Sequence, residues 1–204
     1  MPLRFLAAAL ATAFLATAAH ADDRTICATS KDSAAVIAAC GRLIANEKEP
    51  ADVRAVAHTN RGQAHQRNQD FDTAIADYDA AIALNPMLAP AYFNRGVAYY
   101  RKSDAKQAMS NFSDAIRLDP SDPQPLVNRA ILQFELKDYT AAVADMDASI
   151  KLAPKMVMLY TYRAKIQLAA GNAERAVADF KEVLKLDPAN EEAKAMLQDL
   201  GAGQ

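Results

Sequence analysis

Tryptophan is absent from this 204-residue sequence, glycine is scarce at six residues, and there are two cysteines and three histidines. So few glycines leave no glycine-rich phosphate loop, and so few Cys and His leave no zinc-finger spacing. There is no excess of positive charge either, with 23 Lys and Arg against 25 Asp and Glu. Nucleic-acid binding, which leans on clustered cations, is therefore unsupported. No segment after residue 21 approaches the ~20 apolar residues that a membrane span needs.

What is present begins with a leader. Arg4 supplies a short positive region, Phe5 to Ala19 is uncharged, and Ala19-His20-Ala21 has small residues at the two positions a signal peptidase reads. The sequence predicts a secretory signal over residues 1–21 with cleavage before Asp22; the alternative, a membrane anchor, is disfavoured by the shortness of the apolar stretch. Export places Cys27 and Cys40 in an oxidising compartment, where a pair is expected to be bridged; the other reading is two small buried hydrophobes.

Internal repetition organises the rest. Four windows of 34 residues align without a gap from Ala55, Ala89, Pro123 and Val157. The eighth place holds Gly62, Gly96, Ala130 and Ala164; the twentieth Ala74, Ala108, Ala142 and Ala176; the twenty-fourth Tyr78, Phe112, Met146 and Phe180; the thirty-second Pro86, Pro120, Pro154 and Pro188. Each window reads as two helices, in copy one roughly Ala55–Arg67 and Phe71–Leu84. Phe71, Ala74, Ile75, Tyr78, Ala81 and Ile82 recur at spacings of three and four, one face of a helix. Polar turn residues such as Asn68-Gln69-Asp70 lie between the helices, and the proline of each copy ends the second helix. Small residues at the eighth and twentieth places let two antiparallel helices approach closely. A single pair cannot bury its apolar face, so the copies must stack into one core.

This pattern of small residue, Ala, aromatic and Pro on a 34-residue period resembles the tetratricopeptide repeat family. The expected fold is all-α: a right-handed α-solenoid of four repeats over 55–88, 89–122, 123–156 and 157–190. Residues 22–54 are expected as an N-terminal half-repeat cap, with a second-type helix over Asp32 to Ala45 lacking its usual first one and a polar break from Asn46 to Arg54. Residues 191–204 are expected as a C-terminal capping helix and tail. The fourth place, where the family often has Trp, holds His58, Tyr92, Leu126 and Tyr160.

Candidate chemistry follows the repeat. Arg61, Arg95, Arg129 and Arg163 share the seventh place, and Asp77, Asp145 and Asp179, with Asn111, the twenty-third. Residues recurring in each copy belong to the scaffold, and Arg–Asp pairing between helices is expected. His58 and His65 stand seven apart, about 10 Å along a helix axis, too far for one metal. No one-off cluster suggests a catalytic residue, a metal or a cofactor, so no enzymatic activity is expected.

In the family the second, fifth, sixth, ninth, twelfth and thirteenth places line a concave surface. Carried over, the sixth gives Asn60, Asn94 and Asn128, then Tyr162. Amides can pair with an extended peptide backbone, although Asn is also common there in the family. Beside them stand Phe93, Val97, Tyr100, Val127, Ile131 and Phe134, an apolar set that suggests an interaction surface. The family's clamps for a terminal carboxylate use Lys and Asn; the corresponding stretches here hold Thr59, Gln63, Asn94, Gln124 and Asn128, without the basic residues. Arg101 and Glu135 share the rim with opposite signs, so salt is expected to matter little. The resemblance implies an adaptor that binds an extended segment of a protein partner; export with an Ala-rich, low-aromatic composition points to a bacterial periplasm, and charge and hydropathy to no nucleic-acid binding and no membrane insertion once the leader is cleaved. The rival is a self-associating scaffold or complex subunit, a homo-oligomer whose groove is filled by another copy.

Overall fold

A computed structural model describes residues 22–202; the leader expected over residues 1–21 lies outside them. All regular structure among the described residues is helical: α1 (residues 22–29), α2 (Ser33–Ala45), α3 (Ala51–Arg67), α4 (Phe71–Leu84), α5 (Ala89–Arg101), α6 (Ala105–Leu118), α7 (Pro123–Glu135), α8 (Tyr139–Leu152), α9 (Val157–Ala169), α10 (Ala173–Leu186) and α11 (Glu191–Asp199). Within the first unit α2 to α5, and within the second α6 to α11, each helix packs on the next in chain order, as in an α-solenoid of helical repeats. By contacts the chain forms two compact units, one ending at Asp104 and one beginning at Ala105.

The four inter-helix turns share one device. Gln69, Ser103, Lys137 and Gly171 are left-handed, with φ of 64°, 62°, 64° and 80°. In the first turn the N–H of Asp70 donates to the carbonyl of His65 and that of Gln69 to Gln66; the N–H of Asp104, Asp138 and Asn172 repeat the longer bond to Tyr99, Gln133 and Gln167. This is the two-bond closure that satisfies the last carbonyls of a helix. Asp70 and Asp138 then cap the next helix, accepting from the N–H of Thr73 and Ala141. Glycine is needed in none of the first three turns because the closure holds the strained residue.

In the N-terminal unit, Gly62 meets Tyr78. A Cβ at position 62 would stand 2.7 Å from Tyr78 Cε1 and 3.1 Å from the backbone oxygen of Ala74. Tyr78 is fully buried, with its hydroxyl donating to Gln66 Oε1, so the ring has nowhere to move. Gly62→Ala would gain about 1 kcal/mol of helix propensity, against roughly 1–3 kcal/mol for overpacking. A net loss of up to about 2 kcal/mol in denaturant unfolding is expected; a stabilised variant would contradict this packing.

Two expectations at the N-terminal end are corrected. Residues 22–29 are helical, so α2 does have a first helix before it. The disulfide Cys27–Cys40 and the ion pair Asp23–Arg42 pin α1 to α2, and the ion pair Arg24–Glu49 ties α1 to the connection between α2 and α3. The polar break is also shorter: α3 starts at Ala51, because Pro50, at φ −53°, sets the chain up for a helix whose first N–H groups need no intrahelical partner. Val36, Cys40 and Leu43 are buried as a helix face should be. At the other end Ala193 and Leu197 of α11 cover Phe180 and Val183.

The seventh-place arginines clasp helices together. Arg61 pairs with Asp77, Arg129 with Asp145 and Arg163 with Asp179, each sixteen residues ahead. Arg95, Arg129 and Arg163 also reach sixteen residues back, to Asp79, to Ser113 Oγ at 2.9 Å and to Asp147 at 2.5 Å. Each of these three therefore ties its own helix to the second helix of the preceding copy. Tyr92 and Tyr160, at the fourth place, lie under the guanidinium groups of Arg95 and Arg163 and donate to the carbonyls of Pro86 and Pro154.

Candidate functional site

The groove residues named from the sequence lie on the first helices of the copies. In the N-terminal unit, α3 carries Asn60, half-buried with Nδ2 3.9 Å from Cys27 Sγ. The first amide thus lies against the bridge that holds α1. On α5, Phe93, Asn94, Val97 and Tyr100 are all half-buried and share one stripe at spacings of three and four. Asn94 Nδ2 donates to Pro90 O at 2.8 Å, one turn back on its own helix. That leaves the carbonyl oxygen and the second N–H of the amide for another partner.

In the C-terminal unit Asn128 repeats the arrangement, donating to Gln124 O at 2.9 Å. Ile131 and Phe134 are half-buried, and Phe134 packs on Tyr139 with ring centroids 5.8 Å apart. Val127 differs from expectation. It is 4% exposed and clusters with Ala130, Met146 and Leu159, so its place on the helix is turned into the core. Tyr162 on α9 is open at 37% exposure.

Sequence reasoning missed two open apolar residues, Val56 and Met158, 45% and 44% exposed. Both stand at the second place of a copy, a groove-lining place, which was the signal available. It also missed a cavity of about 680 Å³ in the N-terminal unit, lined by Gln63, Gln66, Arg67, Gln69, Phe71 and Arg101. Four of these six stand at the ninth, twelfth and thirteenth places.

The titratable groups point to scaffold work. Burial pushes the Asp77 carboxyl up, but hydrogen bonds from His58 and Arg61 outweigh it and hold the group below its ordinary value. His58 Nδ1 lies 2.9 Å and His65 Nε2 4.0 Å from that carboxylate, so both histidines face one buried acid. Burial raises the Tyr78 hydroxyl far above its ordinary value, helped by the charge of Asp77. Among the described residues no three His, Cys, Asp or Glu side chains converge as metal ligands, and no helix is long and apolar enough to cross a membrane.

Comparison with known proteins agrees with this architecture. No curated protein matches the chain. Among solved structures, MamA from Desulfovibrio magneticus RS-1 superposes with a TM-score of 0.72 at 14% identity, over 84% of this chain and 95% of that one. YrrB, described as a TPR protein with an unusual peptide-binding site, has a TM-score of 0.66 at 12% identity, over 81% and 84%. The first TPR of Spaghetti (RPAP3), bound to the HSP90 peptide SRMEEVD, reaches 0.50 at 26% identity, over 55% of this chain and 92% of that one. The family model for the tetratricopeptide repeat matches residues 59–123 and 127–191, more than half of the sequence. With its helix pairs, 34-residue period and seventh-place clasps, the chain belongs to the tetratricopeptide repeat family.

Proposed function

We propose that this protein is a periplasmic adaptor that acts by binding, not by catalysis, and takes an extended segment of a partner polypeptide along the first helices of its copies. Cleavage before Asp22 would release residues 22–54 as the N-terminal cap, four repeats over 55–190 and the C-terminal cap. The bridged Cys27–Cys40 pair suits an oxidising compartment. A role in protein–protein interaction is supported by the family and by the peptide-bound Spaghetti repeat.

The observation that carries the reading is the pairing of chemistries on first-helix faces. Asn94 and Asn128 each keep an acceptor and one donor beyond their bond to their own helix. A bound backbone needs both. Half-exposed apolar side chains flank them: Phe93, Val97 and Tyr100 on α5, Ile131 and Phe134 on α7. Their burial by a ligand contributes about 25 cal/mol per Å².

Affinity capture from the native periplasm, with mass spectrometry, supplies the partner for the test. Asn94→Ala combined with Asn128→Ala is expected to weaken its binding tenfold or more, roughly 1.4 kcal/mol, with unchanged helicity, and Tyr100→Ala to weaken it through lost packing. Parent-like binding by both would sink the groove reading. If the same changes shift the oligomer mass in solution instead, the groove is filled by a second copy.

A further inference from the structure

We infer that the cavity in the N-terminal unit is an anion pocket, and that the partner segment carries an acidic side chain whose carboxylate enters it. The inference rests on the peptide-binding reading above and adds the charge of the ligand. Its walls hold two guanidinium groups, Arg67 and Arg101, three primary amides, Gln63, Gln66 and Gln69, and the ring of Phe71, but no carboxylate. Arg101 has no ion pair among the described residues, and Arg67 makes only a hydrogen bond from Nε to Ser33 Oγ at 3.2 Å. Gln66 accepts from the Tyr78 hydroxyl through Oε1, which turns its amide N–H groups to other partners.

Two acids nearby in sequence are engaged elsewhere. Asp70 caps the N–H of Thr73 and lies 3.6 Å from His65, while Asp72 pairs with Lys102. The pocket is therefore a concentration of donors with two positive charges that nothing on its walls neutralises. Planar guanidinium and amide groups match a carboxylate in shape and can grip both of its oxygens. At about 680 Å³ the space takes a side chain together with the backbone that carries it.

The site is not the family's clamp for a chain terminus. The basic places of that clamp are uncharged here, whereas Arg67 and Arg101 stand at the thirteenth place of copies one and two. On this inference binding depends on salt, in contrast to the expectation drawn from Arg101 and Glu135, because Arg101 shares its cavity with a second arginine.

The test uses the full chain and three eight-residue probes: a blocked peptide of alternating Ala and Glu, the same blocked peptide with Gln for Glu, and the Gln peptide with a free C-terminal acid. The Glu probe is expected to shift the side-chain Nε–H resonances of Arg67 and Arg101 and to bind at least tenfold more tightly than the blocked Gln probe, with affinity falling as salt rises. Arg67→Gln with Arg101→Gln should abolish that preference; both residues are exposed, so helicity should hold. Equal binding of the Glu and blocked Gln probes, or a double variant that still prefers Glu, overturns the inference. A preference for the free-acid Gln probe alone would assign the pocket to a terminus and overturn the side-chain assignment. If the captured partner loses affinity in the Asn94 and Asn128 variant but not in the arginine variant, the groove reading stands and the pocket inference fails.

Discussion

Replacing Arg129 by methionine is expected to cost the C-terminal unit about 3–5 kcal/mol, the range for removing one member of a buried pair. Asp145 accepts from Arg129 Nε at 2.7 Å and from Nη2 at 2.8 Å, and the two side chains are 10% and 22% exposed. The Asp145 hydrogen bonds raise the guanidinium above its ordinary value in spite of burial. Without it a carboxylate is left in a packed interface with no counter-charge. Most of the loss therefore comes from the orphaned acid. Arg129→Met with Asp145→Leu should recover a large part of it, since a pair of well-packed apolar residues often replaces an ion pair without loss. Denaturant unfolding of the parent, both single variants and the double closes the cycle; additive losses would show that the pair does not act as a unit.

Reduction of Cys27–Cys40 is the second large effect. The cysteines are 13 residues apart, and a ring of that size restrains the unfolded chain by about 3 kcal/mol in the loop-entropy model. The helix at residues 22–29 is short and would be marginal alone. It is held by the bridge and by Asp23 and Glu49, both buried and paired with arginines on the far side of the contact. Reductant, or Cys40→Ser, is expected to speed hydrogen exchange first in α1 and α2 and to lower the melting temperature of the N-terminal unit. Exchange that is unchanged in residues 22–45 after complete reduction would show that the ion pairs alone suffice.

Much of this architecture was legible because its determinants repeat. A small residue at the eighth place, alanine at the twentieth and arginine at the seventh are each seen several times, and repetition separates them from chance. The Arg–Asp pairing followed from spacing alone for Arg61, Arg129 and Arg163. What stayed hidden occurs once or depends on depth. Residues 22–29 offer little apolar periodicity, since their order comes from a cross-link and two ion pairs. Val127 carries the same apolar signal as its neighbours, and only packing shows that it faces the core. Arg67 and Arg101 occupy equivalent places 34 residues apart. Reading Arg101 against Glu135, its counterpart in the next copy, concealed that the arginines of copies one and two line one cavity.

The arginine clasp also carries a rule about length. Arg95, Arg129 and Arg163 each find an acceptor in the second helix of the copy before, at the twenty-fifth place, where Asp79, Ser113 and Asp147 stand. In the fourth copy that place is Lys181, and the residue sixteen further on, where a fifth arginine would stand, is Leu197. The two line the same cleft, and Leu197 packs in the core cluster with Phe180 and Val183, so the last joint is apolar where the others are ionic or hydrogen-bonded. A fifth copy grafted after Asn190 would set arginine against lysine. Changing Lys181 to an acceptor would therefore favour a longer array, whereas a whole copy inserted between two others brings a matching donor and acceptor with it.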